Sequence, residues 1–405
     1  MMRPWLLCLP CILGVVLHQG GAAEEGYKRK VHIEFNSTYK GTTVNLLHIR
    51  AVGLEDTVHY VWSTMGVPTM LLVHTNSAHS MLHLNWTKLV SSSPFKAIQI
   101  EPSTSVQHAT ALMFTRVFEY YDGNNTADFT HISKPNFYPA YDLEYLVWEH
   151  GDWIFNASTR TAVFRGANAS DSSHFQNGSI SFQVTAFDST GRENVPPSLL
   201  HTANSSKIEF RIEGVTPRGN FSRFGLEMVM LERKGGFKTM KSVQTIDDEY
   251  TPTIFKMAQM LSHAENKSHT QSFMQWKAVA YSSPMARRDE ALPCQYYDLQ
   301  DQNGTLNMAR TIAQAYFGEN LQENHIIQAL NISFGIADGD FYDNTHYLSW
   351  SSLIGIGSPP EESFSIMVIC IMAVALGSPV LLLLVGGLVV FIWKKKHYSE
   401  YEPIN

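Results

Sequence analysis

The chain has 405 residues, of which 44% are hydrophobic and 17% charged, and its formal net charge is −7 with histidines neutral. That balance excludes a mucin-like stalk or a disordered tail and describes a folded protein long enough for one or two domains. Its basic residues are scattered along an acidic chain, which argues against nucleic acid as a partner.

Residues 1–23 read as a secretory signal peptide. Arg3 supplies an early positive charge, an apolar stretch runs from Trp5 to Leu17, and Gly21, Ala22 and Ala23 precede Glu24. The stretch is shorter than the roughly 20 helical residues a bilayer core requires. A luminal segment of 337 residues, 24–360, is then expected. Its one cysteine is Cys294, because Cys8 and Cys11 fall in the signal peptide and Cys370 in a later apolar run. The segment therefore depends on core packing without an internal disulfide. "ALPCQYY" lacks the glycine-rich turn of a cysteine nucleophile, so a buried or incidental thiol is expected.

Most of this segment has period two. In "KIEFRIEGV", Ile208, Phe210 and Ile212 alternate with Lys207, Glu209, Arg211 and Glu213, and "SISFQVTAFD", "TVHYVWST" and "GLEMVMLE" repeat the pattern. The turn clusters "NGS", "DSTGREN" and "TPRGN" separate them. The expectation is a mainly β ectodomain of antiparallel, sandwich-like sheets with few helices, as one domain or two subdomains. A helix is predicted in "TPTIFKMAQML", with Thr251 as cap and Pro252 in the first helical position, and a second around Met308 to Phe317.

Eleven asparagines begin an N-x-[ST] acceptor: Asn36, Asn85, Asn124, Asn156, Asn168, Asn177, Asn204, Asn220, Asn266, Asn303 and Asn331. With 21 Asn and 63 Ser plus Thr in the chain, chance placement gives about three. The excess, confined between the cleavage site and the C-terminal apolar run, places the segment in the secretory lumen and each used asparagine on the surface. In "LHLNWTKLV", Leu82, Leu84 and Trp86 alternate with His83 and Asn85. In "ALNISFG", Leu330, Ile332 and Phe334 alternate with Asn331 and Ser333. Both read as half-buried strands with the sugar outward. Such a coat serves folding and quality control, and also shields the backbone in a degradative compartment.

Residues 24–360 hold 26 Lys plus Arg, 33 Asp plus Glu and 15 His, so full protonation of the histidines would move the balance from −7 to at most +8. No H-E-x-x-H, G-x-S-x-G, C-x-x-C or phosphate-cradling glycine loop is present. His79 and His83 lie on strand spacing without a third ligand. "ADGDFYDN" places Tyr342 where a calcium loop needs an oxygen and reads as an Asx-type turn. Asp247, Asp248 and Glu249 offer a carboxylate pair for glycoside hydrolysis, or simply acidic residues before a helix. No catalytic, cofactor-binding or metal site is expected.

From Ile366 to Trp393 there are 28 residues without a charge, interrupted by Pro379 and followed by Lys394, Lys395 and Lys396. The run is long enough to span a bilayer, and the lysines predict a single-pass type I topology with a cytoplasmic tail, 394–405. Ala373 and Gly377 form a small-xxx-small pair that suits either anchoring alone or helix approach. In the tail, Tyr401 and Ile404 have the spacing of a tyrosine-based sorting signal, read by a cytosolic clathrin adaptor.

"LLHIRAVG", "HYVWS", "TIDDEYTP", "ALPCQ", "HYLSWS", "IMAVALG" and "YSEYEPIN", in that order, together resemble the glycosylated lysosomal membrane protein family. The resemblance implies residence in the lysosomal membrane and a non-enzymatic role. The chain would be an accessory subunit that binds a multi-pass lysosomal transporter of the major facilitator superfamily through its luminal domain, stabilising it and protecting it from lysosomal proteolysis. The residues alone also admit a lysosomal cargo receptor or lectin-like binding protein, and less readily a luminal hydrolase.

Overall fold

In the computed structural model, which describes residues 27–398 except 152–153, 169–172, 247–253, 265–268, 303–307, 319–320 and 362–365, the period-two segments pair as antiparallel strands. The predicted signal peptide, the Asp247–Glu249 cluster, Asn266, Asn303, Tyr401 and Ile404 lie outside the described residues. The chain divides into a large unit, residues 1–244 with 255–361, and a small one, 245–254 with 362–405.

The large unit holds two antiparallel sheets. The first runs Lys30–Tyr39, Thr42–Val52, Thr57–Ser63, Thr69–Thr75, Val106–Tyr121, Ser222–Arg233 and His325–Phe334, each strand paired to the next. The second runs Thr161–Ala167, Ser179–Ala186, Ser205–Glu213, Tyr347–Ile356, Thr270–Lys277 and Ile254–Ala264. The strand Ala291–Tyr296 pairs with Val279–Tyr281 of the second sheet and, through Cys294 opposite Phe334, with the first. It joins the two.

The inner faces meet through aromatic rings. Trp62 lies 6.5 Å from Phe164, Phe114 4.6 Å from Phe182, and Phe210 6.1 Å from Phe334, centroid to centroid. Burial of each Phe-sized side chain contributes about 1.5–3 kcal/mol relative to exposure, and offset or tilted rings add somewhat to that. Ile208, Phe210 and Ile212 are fully buried while Lys207, Glu209 and Arg211 face outward, as their alternation predicts.

The first sheet departs from simple alternation. Every residue of Thr57–Ser63 is buried, because the outer face has its own cover. Val61, Leu71 and Val73 pack there against Ile98 and Ile100 of the short hairpin Met81–Leu84 with Ile98–Glu101, and against Ile312 and Ala315 of a helix. Val229 and Leu231 likewise meet Met308, Ala313 and Leu321. "TVHYVWST" and "GLEMVMLE" therefore line two cores, one on each face.

The helix predicted in "TPTIFKMAQML" is replaced by the strand Ile254–Ala264. Met257, Met260 and Leu261 sit at helical spacing, but Leu261 faces Phe273 and Met260 faces Met274 across an antiparallel ladder. A partner strand that satisfies the backbone outweighs a period shared by both structures. The second helix forms over Ile312–Phe317, capped by Thr311, whose Oγ1 accepts the Gln314 N–H at 3.2 Å, and closed by Gly318 at φ +107°.

The small unit carries the helix Ile366–Tyr398, which contains Pro379. Its stretch Ile369–Lys396 is apolar and long enough to cross a membrane, and no part of it is buried in the protein.

Candidate functional site

Nine of the sequon asparagines fall among the described residues. Asn36, Asn85, Asn124, Asn156, Asn177 and Asn220 are exposed, and Asn168, Asn204 and Asn331 are half-buried. Asn85 does not extend its strand as predicted. It caps the short helix Trp86–Leu89, its Oδ1 accepting the Lys88 N–H at 3.0 Å, while Leu82 and Leu84 are half-buried between exposed Met81 and His83. Asn331 keeps its strand position opposite Glu227. Ser333, predicted outward beside it, is 1% exposed because Tyr297 covers it, hydroxyl to hydroxyl at 3.0 Å.

Asn204 stands at a polar cleft of about 590 Å³ that Arg29, Asp56, His74 and His108 also line. Its Oδ1 accepts from Arg29 Nε at 2.7 Å, and its backbone carbonyl accepts the Tyr60 hydroxyl at 2.7 Å. Arg29 Nη2 lies 2.5 Å from Asp56 Oδ2, with His74 Nε2 3.1 Å from the same oxygen. Burial works to raise the Asp56 carboxyl, but the hydrogen bonds from His74 and Arg29 and the Arg29 charge outweigh it and hold it down to about 2. Asp56 is thus an ionised structural anchor with its partners in place, a poor proton acceptor at neutral or mildly acidic pH.

Local alternation gave no sign of the buried polar groups. His48 and His59 stack on the outer face of the first sheet, and His59 Nε2 lies 2.9 Å from Ser80 Oγ. Glu232 is ion-paired with Lys238, accepts from the Ser262 hydroxyl, and has His108 Nδ1 3.7 Å away. Asp122 and Arg223 form a buried pair at 2.9 Å with side-chain exposures of 0% and 2%. The signal that marks such positions is a charge or imidazole within a strand among aromatic neighbours, as with Glu119 and Arg223.

Several sequence expectations can be placed directly. His79 and His83 are exposed, and among the described residues no group of three or more His, Cys, Asp or Glu is close enough to hold a metal ion. Tyr342 of "ADGDFYDN" turns into the core against Phe224 at 4.6 Å, and Asn344 Nδ2 donates to Asp340 Oδ1 at 3.3 Å, which makes a turn of that segment. Cys294 is 5% exposed, its Sγ is 3.8 Å from the Lys277 carbonyl, and burial pushes its thiol well above the usual range. What this surface offers by sequence is exposed acceptor asparagines for N-linked sugars.

Comparison with known proteins bears on that surface. Residues 45–397 match the family model described as glycosylated lysosomal membrane protein. The chain is 53% identical over 407 residues to glycosylated lysosomal membrane protein A of Xenopus laevis, covering 100% of this chain and 99% of that one. It is 41% identical over 388 residues to the Danio rerio protein of the same name, covering 94% and 93%. To the Homo sapiens protein it is 41% identical over 378 residues, covering 93% and 91%.

Proposed function

Since the chain belongs to the glycosylated lysosomal membrane protein family, we propose that it is a non-enzymatic accessory subunit of a multi-pass lysosomal transporter of the major facilitator superfamily. Anchored as a type I protein by its C-terminal helix, it binds the transporter through the luminal domain and shields it from proteolysis. The tail residues Tyr401 and Ile404 direct it to the lysosome through a clathrin adaptor. A transporter has short luminal loops and cannot grow its own glycan coat, whereas this chain has eleven sequons to lend.

One observation carries the reading: none of the six long strands of the second sheet contains an acceptor asparagine, and Asn156 lies in the short strand Phe155–Asn156 that pairs at the Thr161–Ala167 edge. Ile180, Phe182 and Val184 with Ile208, Phe210 and Ile212 point into the core. Ser181, Gln183 and Thr185 with Lys207, Glu209 and Arg211 point away from it, in register. The charges are already fixed, since Arg211 Nε donates to Glu209 Oε1 at 2.6 Å and Arg211 Nη2 to Gln183 Oε1 at 3.1 Å. A pre-paired face loses little side-chain freedom on binding. It is our candidate for the transporter-facing surface.

Gln183→Asn tests this, because Val184 and Thr185 complete a sequon around the new asparagine. A folded, newly glycosylated variant should lose a multi-pass partner that the parent chain retains through mild-detergent purification. Loss of the parent should lower the partner's abundance and leave its transcript unchanged. Recovery of no multi-pass partner with the parent chain overturns the proposal; an undiminished complex with the variant removes this face from it.

A further inference from the structure

We infer that the exposed ring of Tyr121 is a docking platform for the innermost sugar of an N-glycan on Asn124, an assignment that rests on reading Asn124 as a used acceptor. Tyr121 ends the strand Val106–Tyr121, three residues before Asn124, and is 38% exposed. Its ring folds back over the sequon turn. A Cβ placed on Gly123 would lie 2.3 Å from the Tyr121 hydroxyl oxygen and 2.5 Å from Cζ, so glycine is what lets the ring lie there. Phe221, 46% exposed, meets Tyr121 edge-on at 6.1 Å and extends the apolar surface.

The turn is held rigidly beneath this surface. The Asp122 carboxylate accepts from Thr126 N at 3.0 Å, Thr126 Oγ1 at 3.1 Å, Ala127 N at 2.8 Å and Arg223 Nε at 2.9 Å. Asn125 is turned inward, its Nδ2 donating to the Gly339 carbonyl at 3.3 Å and its Oδ1 accepting from Arg223. Asn124 is left exposed on the same turn as the ring. One face of a pyranose presents C–H bonds of slight positive character, which suit the negative face of an aromatic ring. The tether is a single side chain, so the sugar is present at high effective concentration and needs little affinity to stay docked.

The chain at issue is the full glycoprotein in detergent. Glycopeptide mass spectrometry first reads whether Asn124 is occupied; an empty site overturns the acceptor reading and the platform with it. With the site occupied, Tyr121→Val and Asn124→Gln should each lower Tm by about 2–4 °C. The double variant should melt with Asn124→Gln alone, and Tyr121→Phe with the parent. Enzymatic trimming of the folded parent to the innermost sugars should leave Tm in place, and complete removal should lower Tm more in the parent than in Tyr121→Val. Additive losses in the double variant overturn the platform. So does coupling of Tyr121 to Asn220→Gln instead, which would give the ring to the neighbouring glycan.

Discussion

His48 and His59 stack with ring centroids 5.3 Å apart and planes 5° from parallel, and His48 Nε2 lies 3.0 Å from His59 Nδ1. That contact needs one bare nitrogen and one N–H, so it is lost when both rings are protonated. Burial holds His48 down to about 4, with the Arg50 charge assisting. Burial, then the charges of His48 and Arg50, hold His59 down to about 3. His108, again chiefly through burial, is held to about 4. These three therefore resist protonation on acidification, and the +8 ceiling, which counts every histidine of residues 24–360, is not reached until they take up protons.

The sign of the pH dependence follows. An unfolded histidine gains its proton near pH 6.5 and these folded ones do not, so their contribution to stability is full above about 6.5 and declines toward pH 4. Each contributes a slope of about 1.4 kcal/mol per pH unit across its own window. Thermal unfolding of residues 24–360 between pH 7 and 4.5 should show Tm falling, with a shallower fall in His48→Gln. An identical slope in parent and variant would contradict the assignment. Asp56, held to about 2, stays ionised throughout this range and keeps its pair with Arg29.

Removing one partner of the Asp122–Arg223 pair leaves a buried charge uncompensated. Arg223→Met should cost about 3–5 kcal/mol in denaturant unfolding, because the Asp122 carboxylate loses its cation and the Asp340, Ile336 and Gly339 carbonyls lose their donor. A loss below about 1 kcal/mol for the single variant would mean that water reaches the pair.

Cys294 should be silent toward thiol reagents in the native protein and react fully once unfolded, since it is buried and its thiol is pushed up. Mass spectrometry of the peptide that contains it, with and without denaturant, reads this directly. Rapid native labelling would place the Ala291–Tyr296 strand in an open state.

The tail prediction belongs to the sequence alone. Tyr401→Ala should move the protein to the cell surface, scored by surface biotinylation; unchanged lysosomal residence would assign sorting to a partner.

Legibility differed by residue. The Ser205–Glu213 strand is plain in its alternation because one face meets the core and the other carries Lys207, Glu209 and Arg211. Thr57–Ser63 is buried on both faces because Ile312 and Ala315, some 250 residues away along the chain, cover it, and no local period encodes so distant a contact. The apolar spacing of Ile254–Ala264 fits helix and strand equally; its pairing with Thr270–Lys277 decides between them. The sequons were countable at sight. What surrounds them was not: that Tyr121 lies over Gly123, or that Asn204 is tied to Arg29, depends on residues brought together only by the fold.

The position of the last strand governs the order of events during synthesis. Tyr347–Ile356 is inserted between Ser205–Glu213 on one side and Thr270–Lys277 with Val279–Tyr281 on the other. Until it emerges, the second sheet is two fragments with open edges. The apolar helix begins ten residues after Ile356, so the second sheet closes only when almost all of the chain ahead of that helix has been made. The strands on either side of that gap therefore wait with one edge unpaired until the last strand arrives between them.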